Sequence, residues 1–191
     1  MKNMVIKIIE RHDKILDIIN ERIDTLVNFD WHADYPLYSE NIIDIDYFVK
    51  QIDPVWYEEN WVAILASKGY LKNYIWIFDH DFAKSEEIKT LQSKNGYCNA
   101  HNMKFDKNMK LVYSWISIDM DFFGNKIPLN WSPKDRMELL IDVFGTLYAD
   151  DIILIISKSK RFVNYDVDKF LDEMIKHISN MDVNILEIEK M

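Results

Sequence analysis

Thr25-Leu26-Val27-Asn28-Phe29-Asp30-Trp31-His32-Ala33-Asp34 is the stretch whose reading decides the fold. A short, mostly apolar run stops abruptly at two carboxylates and an imidazole. Such runs read as strands buried on both faces, as in a parallel sheet covered by helices. The shape returns in Val112-Tyr113-Ser114-Trp115-Ile116-Ser117-Ile118, which ends in Asp119-Met120-Asp121. It returns again in Tyr74-Ile75-Trp76-Ile77-Phe78, followed by Asp79-His80-Asp81, and in Met4 to Ile9, which leads into Arg11-His12-Asp13.

Helical patterns alternate with these strands. The spacing predicts helices over 14–23, 45–52, 61–69, 132–148 and 166–179, with Ser132 as N-cap, Pro133 at the first helical position and Gly69 as a stop. Leu111 to Ile118 reads as one strand, Ile152 to Ser157 as another, and a short strand is expected near Val183 to Ile188. Residues 38–44 read as loop. Residues 85–110 carry no regular pattern, although Asn95-Gly96 is a hairpin turn signal. The alternation implies an α/β fold, a single-domain three-layer αβα arrangement spanning 1–191 around a mostly parallel sheet. In such sheets sites form beyond the carboxyl ends of the strands, where every polar cluster above falls.

Composition narrows the function. Hydrophobic residues make up 49% of the 191 and aromatics 14%, enough for an ordered core, which excludes a disordered chain. Acidic residues outnumber basic ones 32 to 23, a formal charge of -9, which disfavours a nucleic-acid partner and suits a cationic substrate. Cys98 is the single cysteine, so neither an internal disulfide nor a zinc-thiolate cluster is available, and a cytoplasmic home is expected. No stretch approaches the roughly 20 apolar residues of a membrane span.

The chemistry lies in the acidic clusters. In an extended segment residues two apart face the same side, so Asp30, His32 and Asp34 would point together, as would Asp119 and Asp121. Either motif alone is most often a solvated loop. Both at strand ends, with His12 at a third, point to a metal centre whose oxygen and imidazole donors suit Mn²⁺, with Fe²⁺ or Zn²⁺ as other choices. Bridging carboxylates would hold two ions about 3.5–4 Å apart with a hydroxide between them.

Asp-x-His-x-Asp after one strand and Ser117-Ile118-Asp119-Met120-Asp121 after a later one are similar to the manganese motifs of arginase and agmatinase ureohydrolases. The chain resembles still more a branch of small arginase-like proteins that includes the peptide arginases of ribosomal-peptide (RiPP) pathways. Glu10-Arg11-His12-Asp13, Asn60-Trp61, Gly69, Asp119-Met120-Asp121-Phe122-Phe123 and Ile155-Ile156-Ser157-Lys158-Ser159 carry that likeness. It implies a minimal arginase/deacetylase-like fold and two Mn²⁺, one on His12, Asp30, Asp34 and Asp119, the other on Asp30, His32, Asp119 and Asp121. The glycine-rich context that precedes the first histidine in arginases is absent here.

The expected function is therefore hydrolysis of arginine, within a peptide substrate, to ornithine and urea. The chain is shorter than a full arginase, and loops that grip a free amino acid are not evident. A carboxylate must hold the guanidinium by bidentate hydrogen bonds, for which Glu10, Asp79 and Asp81 are candidates, and His80 or His101 would shuttle protons. Alternatives are a deacetylase-like amidohydrolase with one zinc and a catalytic Tyr, or a non-catalytic metal-binding interaction module. His177 and the basic group Lys158, Lys160 and Arg161 read as solvated surface. Assembly into a homo-oligomer stays open.

Overall fold

A computed structural model of the chain describes residues 2–32, 34, 54–78, 98–106, 108–124, 132–145 and 148–191. Its strands are β1 (Lys2–Ile9), β2 (Ile23–Phe29), β3 (Leu71–Phe78), β4 (Asn99–Lys104), β5 (Trp115–Asp119), β6 (Asp151–Ser157) and β7 (Val183–Lys190). They form one sheet in the order β4-β3-β2-β5-β6-β1-β7, and every pairing is parallel. The helices are α1 (Ile15–Ile18), α2 (Pro54–Ser67), α3 (Pro133–Gly145) and α4 (Val167–Ser179). The fold is α/β in three layers, αβα.

Alternating side chains explain the layers, because successive strand residues point to opposite faces. On one face Met4, Ile6, Ile8, Val27, Phe29, Ile116, Ile118, Leu154 and Ile156 meet Met137, Leu140, Val143 and Phe144 of α3 and Phe170, Leu171, Met174 and Ile178 of α4. On the other, Leu26, Tyr74, Trp76 and Ile155 meet Trp61, Val62, Leu65 and Ala66 of α2, with Ile15 and Ile19. No described helix is long and apolar enough to cross a membrane.

The differences from the sequence reading have physical causes. The helix expected over 14–23 is a 3-10 turn at His12–Lys14 followed by the four residues of α1. Ile15, Ile19 and Ile23 share helical spacing, yet Ile23 already pairs with Leu71 as the first residue of β2. Strand β5 begins at Trp115 rather than Leu111, where its partners β2 and β6 are first within reach. The helix over 61–69 starts earlier, its described residues running back to Pro54. It stops as expected: Gly69 has φ 72, Tyr70 N–H bonds Leu65 O and Gly69 N–H bonds Ala66 O, a Schellman close. Helix α3 ends at Gly145, short of 148. The mostly polar strand β4 buries only Ala100 and so escaped pattern reading; it pairs with β3 and completes that strand's backbone hydrogen bonds. Residues 38–52 and Asn95-Gly96 lie outside the described residues.

The topology places the site. From β2 the chain steps outward to β3 and β4, then returns to β5 and steps the other way to β6 and β7. The β2/β5 boundary is thus the switch point, and in such sheets ligand sites form beyond the strand ends there. Phe29 pairs with Ile118 there, which sets Asp30 beside Asp119 one residue on.

Candidate metal centre

Each acidic cluster opens with the same local device. Asp30 Oδ1 accepts the His32 N–H at 2.9 Å, and Asp119 Oδ1 accepts the Asp121 N–H at 3.1 Å. These are Asx-type turns, in which a carboxylate caps the backbone two residues ahead. The Asp-x-His and Asp-x-Asp spacing therefore works through a turn. The extended segment expected from the sequence is replaced by bends after Asp30 and by a 3-10 turn over Met120–Phe123.

With Oδ1 so occupied, the second oxygen of each aspartate turns toward His12. Its Nδ1 lies 3.2 Å from Asp30 Oδ2, 2.9 Å from Asp34 Oδ2 and 3.0 Å from Asp119 Oδ2. His12 is fully inside the protein, and its Nδ1 makes no hydrogen bond of proper geometry with any of the three. The other ring nitrogen sits 3.0 Å from Ser117 Oγ, which fixes the ring. Trp61 packs against the imidazole at 4.6 Å and donates Nε1–H to Asp34 Oδ2 at 2.5 Å. Asp34 is held with φ 47, a left-handed backbone that aspartate tolerates better than most residues.

A second set shares Asp30. His32 Nδ1 is 3.4 Å from Asp121 Oδ2, and Asp121 Oδ1 accepts the Trp31 N–H at 3.2 Å. Within each of the groups His12, Asp30, Asp34 and Asp30, His32, Asp121, one donor atom per residue lies within 4.8 Å of the others. All six expected ligands are thus brought together. Two orphaned features fit a cation: a buried imidazole nitrogen facing only carboxylates, and four aspartates buried side by side.

Electrostatics show the same demand. Burial and the neighbouring charges of Asp34 and Asp119 push Asp30 up to about 7, and burial with Asp119 and Asp30 raises Asp121 strongly. Burial opposes charge on His32, but Asp121, Asp30 and Asp34 outweigh it and lift its pKa to about 10. His12 is likewise raised, burial being overcome by Asp119, Asp30 and Asp34. Without a metal ion, protons supply the positive charge that this cluster requires.

The supports were not assigned from sequence. Asn28 donates to Asp30 Oδ2 at 3.0 Å, and Trp76 Nε1–H donates to Asp30 O at 3.0 Å. Arg136 Nη1 donates to Phe122 O and Tyr165 to Met120 O, both at 2.5 Å, so α3 and the segment before α4 grip the turn that carries Asp121. Ser159 Oγ donates to Asp119 Oδ2 at 2.6 Å. The serines did leave a signal: Ser117 and Ser157 stand at the polar ends of apolar strands on the side-chain parity of the site.

The expected catalytic groups fare differently. Glu10 lies at the end of β1 but its carboxylate is 2.6 Å from Lys158 Nζ. Lys158 is therefore not a solvated surface residue: its side chain is only 12% exposed and it also pairs with Asp168 at 3.0 Å. His101 is exposed within edge strand β4, opposite Ile75, which in turn stands opposite Val27. That puts it two strands across and three residues below Asp30, on the order of 14 Å away by strand spacing and rise. The structure does not bring it to the cluster. Asp79, His80 and Asp81 lie outside the described residues. His177 is exposed on α4, as expected.

No family model matches the chain, and no curated protein matches it.

Proposed function

We propose that the protein is an arginase-like hydrolase of C–N bonds that holds two Mn²⁺ ions and converts arginine residues of a peptide to ornithine and urea. The observation that carries this reading is the convergence of His12 Nδ1 with three aspartate oxygens at 2.9–3.2 Å, beside a second His/Asp set that shares Asp30. Four ionised aspartates carry four negative charges, which two divalent ions balance. Their oxygen and imidazole donors, with no thiolate among them, suit manganese. The motif likeness to ureohydrolases supports the bond chosen, and an acidic chain suits a cationic substrate.

When bound, such ions supply Lewis acidity that makes water a nucleophile near neutral pH. The chain's own residues do the rest. Ser117 fixes the His12 ring so that Nδ1 faces the centre, and the two Asx turns aim Oδ2 of Asp30 and Asp119 at the same point. Trp61 closes the buried side, whereas the His32 side chain is 46% exposed and leaves that half open to solvent and substrate. Water adds at the guanidinium carbon, the bond to the side-chain nitrogen breaks, and that nitrogen leaves protonated as the ornithine ammonium, with urea as the other product.

Mass spectrometry of arginine peptides incubated with Mn²⁺-loaded protein tests this, with free arginine, agmatine and an acetyl-lysine peptide alongside. Ornithine in the peptide together with free urea is expected. Cleavage of the acetyl-lysine peptide alone would replace this reading with a deacetylase. No turnover of any substrate by metal-loaded protein would leave a binding module.

A further inference from the structure

We propose that Ser159 is a positioning residue of this centre, held in a strained loop so that its hydroxyl fixes the Asp119 carboxylate in the orientation that receives an ion. The inference rests on the metal reading above.

Ser159 has φ 39; among the described residues only it and Asp34 are non-glycines with positive φ. A side chain disfavours that backbone, which glycine would adopt freely. Such strain persists where the surroundings over-determine it, and it concentrates at functional sites. The surroundings here do so. Lys158 N–H bonds Ile9 O at 2.9 Å, and Phe162 N–H bonds Ser159 O at 2.9 Å. Lys158 Nζ reaches Glu10 at 2.6 Å and Asp168 at 3.0 Å, while Lys160 Nζ reaches Asp168 at 2.6 Å. Both neighbours of Ser159 are therefore tied down, to the end of β1 and to the first turn of α4. The Glu10 carboxylate thus also ties this loop to the end of β1.

What the strain delivers is one hydroxyl. Ser159 is buried and donates to Asp119 Oδ2 at 2.6 Å. Ser157 Oγ lies 2.9 Å from Ser159 Oγ, and since the Ser159 proton goes to the carboxylate, Ser157 is the donor of that bond. The chain Ser157 to Ser159 to Asp119 has one direction. Asp119 Oδ1 takes the Asp121 N–H, so one lone pair on each oxygen is used and one on each is left for a cation.

The test uses the full chain with Ser159→Ala and Ser159→Gly, isothermal titration with Mn²⁺, and melting of the metal-free proteins. Loss of an outer-shell partner weakens metal binding about 10–100-fold, and that loss is expected in both variants. The metal-free glycine variant should melt above the alanine variant, because the strain is relieved while the hydroxyl is missing from both. Affinity that follows stability, with Ser159→Gly binding as tightly as the wild type, overturns the inference. Unchanged affinity in Ser159→Ala overturns it too. A wild-type chain that takes up no Mn²⁺ overturns the metal reading itself and the inference with it, so the two failures are told apart by the wild-type titration alone.

Discussion

The two halves of the candidate centre differ in how far they are removed from water. The half around His12, Asp30, Asp34 and Asp119 is buried, its imidazole covered by Trp61 and its carboxylates fixed by Trp61, Asn28 and Ser159. The half around His32 and Asp121 keeps its imidazole 46% exposed, with one contact at 3.4 Å. Under the proposed metal reading, the buried, over-determined set would hold its ion firmly, whereas the half-open set would hold one that can exchange and meet substrate.

Asp30→Asn should give the largest effect, because Asp30 belongs to both sets. Both ions are expected to be lost, with a fall in affinity beyond the about 10–100-fold of an outer-shell change. Metal content of the purified variant checks this, and one retained ion would show that the halves do not share Asp30.

His12→Ala and His32→Ala sharpen the contrast. Removing His12 leaves buried carboxylates without their partner, so the metal-free protein should lose about 3–5 kcal/mol of stability near neutral pH, as when a buried pair is broken. Removing His32, whose side chain is 46% exposed, should cost less stability than removing His12 and leave one ion per chain. Chemical denaturation and metal stoichiometry read both; equal losses would erase the distinction between the halves.

The smallest effect is the pH dependence of the metal-free form. Asp30 is raised from 3.8 to about 7 and His32 from 6.5 to about 10, so the folded state holds more protons than the unfolded one. Stability must then fall as pH rises, through Asp30 between its two values and through His32 between its own. Melting temperature should drop from about pH 5 to about pH 9 without metal, and Mn²⁺ should reverse the trend, because ions replace the protons that leave. A metal-free melting temperature that rises over that window would contradict the crowding of charge in the cluster.

Much of this was legible beforehand, for a local reason. Buried parallel strands must be continuously apolar, so β1, β2, β3, β5 and β6 announce themselves, and their polar ends mark the rim. The six candidate ligands follow, since each sits within five residues of a strand end. Elements whose existence depends on a partner were harder: β4 has no hydrophobic face to betray it, and Ile15, Ile19 and Ile23 imitate a helix although the last begins a strand. Glu10 illustrates the same limit, because no local pattern announces the ion pair that it makes with Lys158.

The sequence by itself determined the layered α/β plan and the aspartate and histidine motifs, because periodicity, strand ends and Asx turns are short-range properties. Only the tertiary structure decided that β5 inserts between β2 and β6, which sets Asp30 beside Asp119 although they lie far apart in the chain. It alone also set Trp61 on Asp34, Ser117 on His12 and Ser159 on Asp119. Contacts between distant segments depend on strand order and register, and no single stretch of residues encodes either.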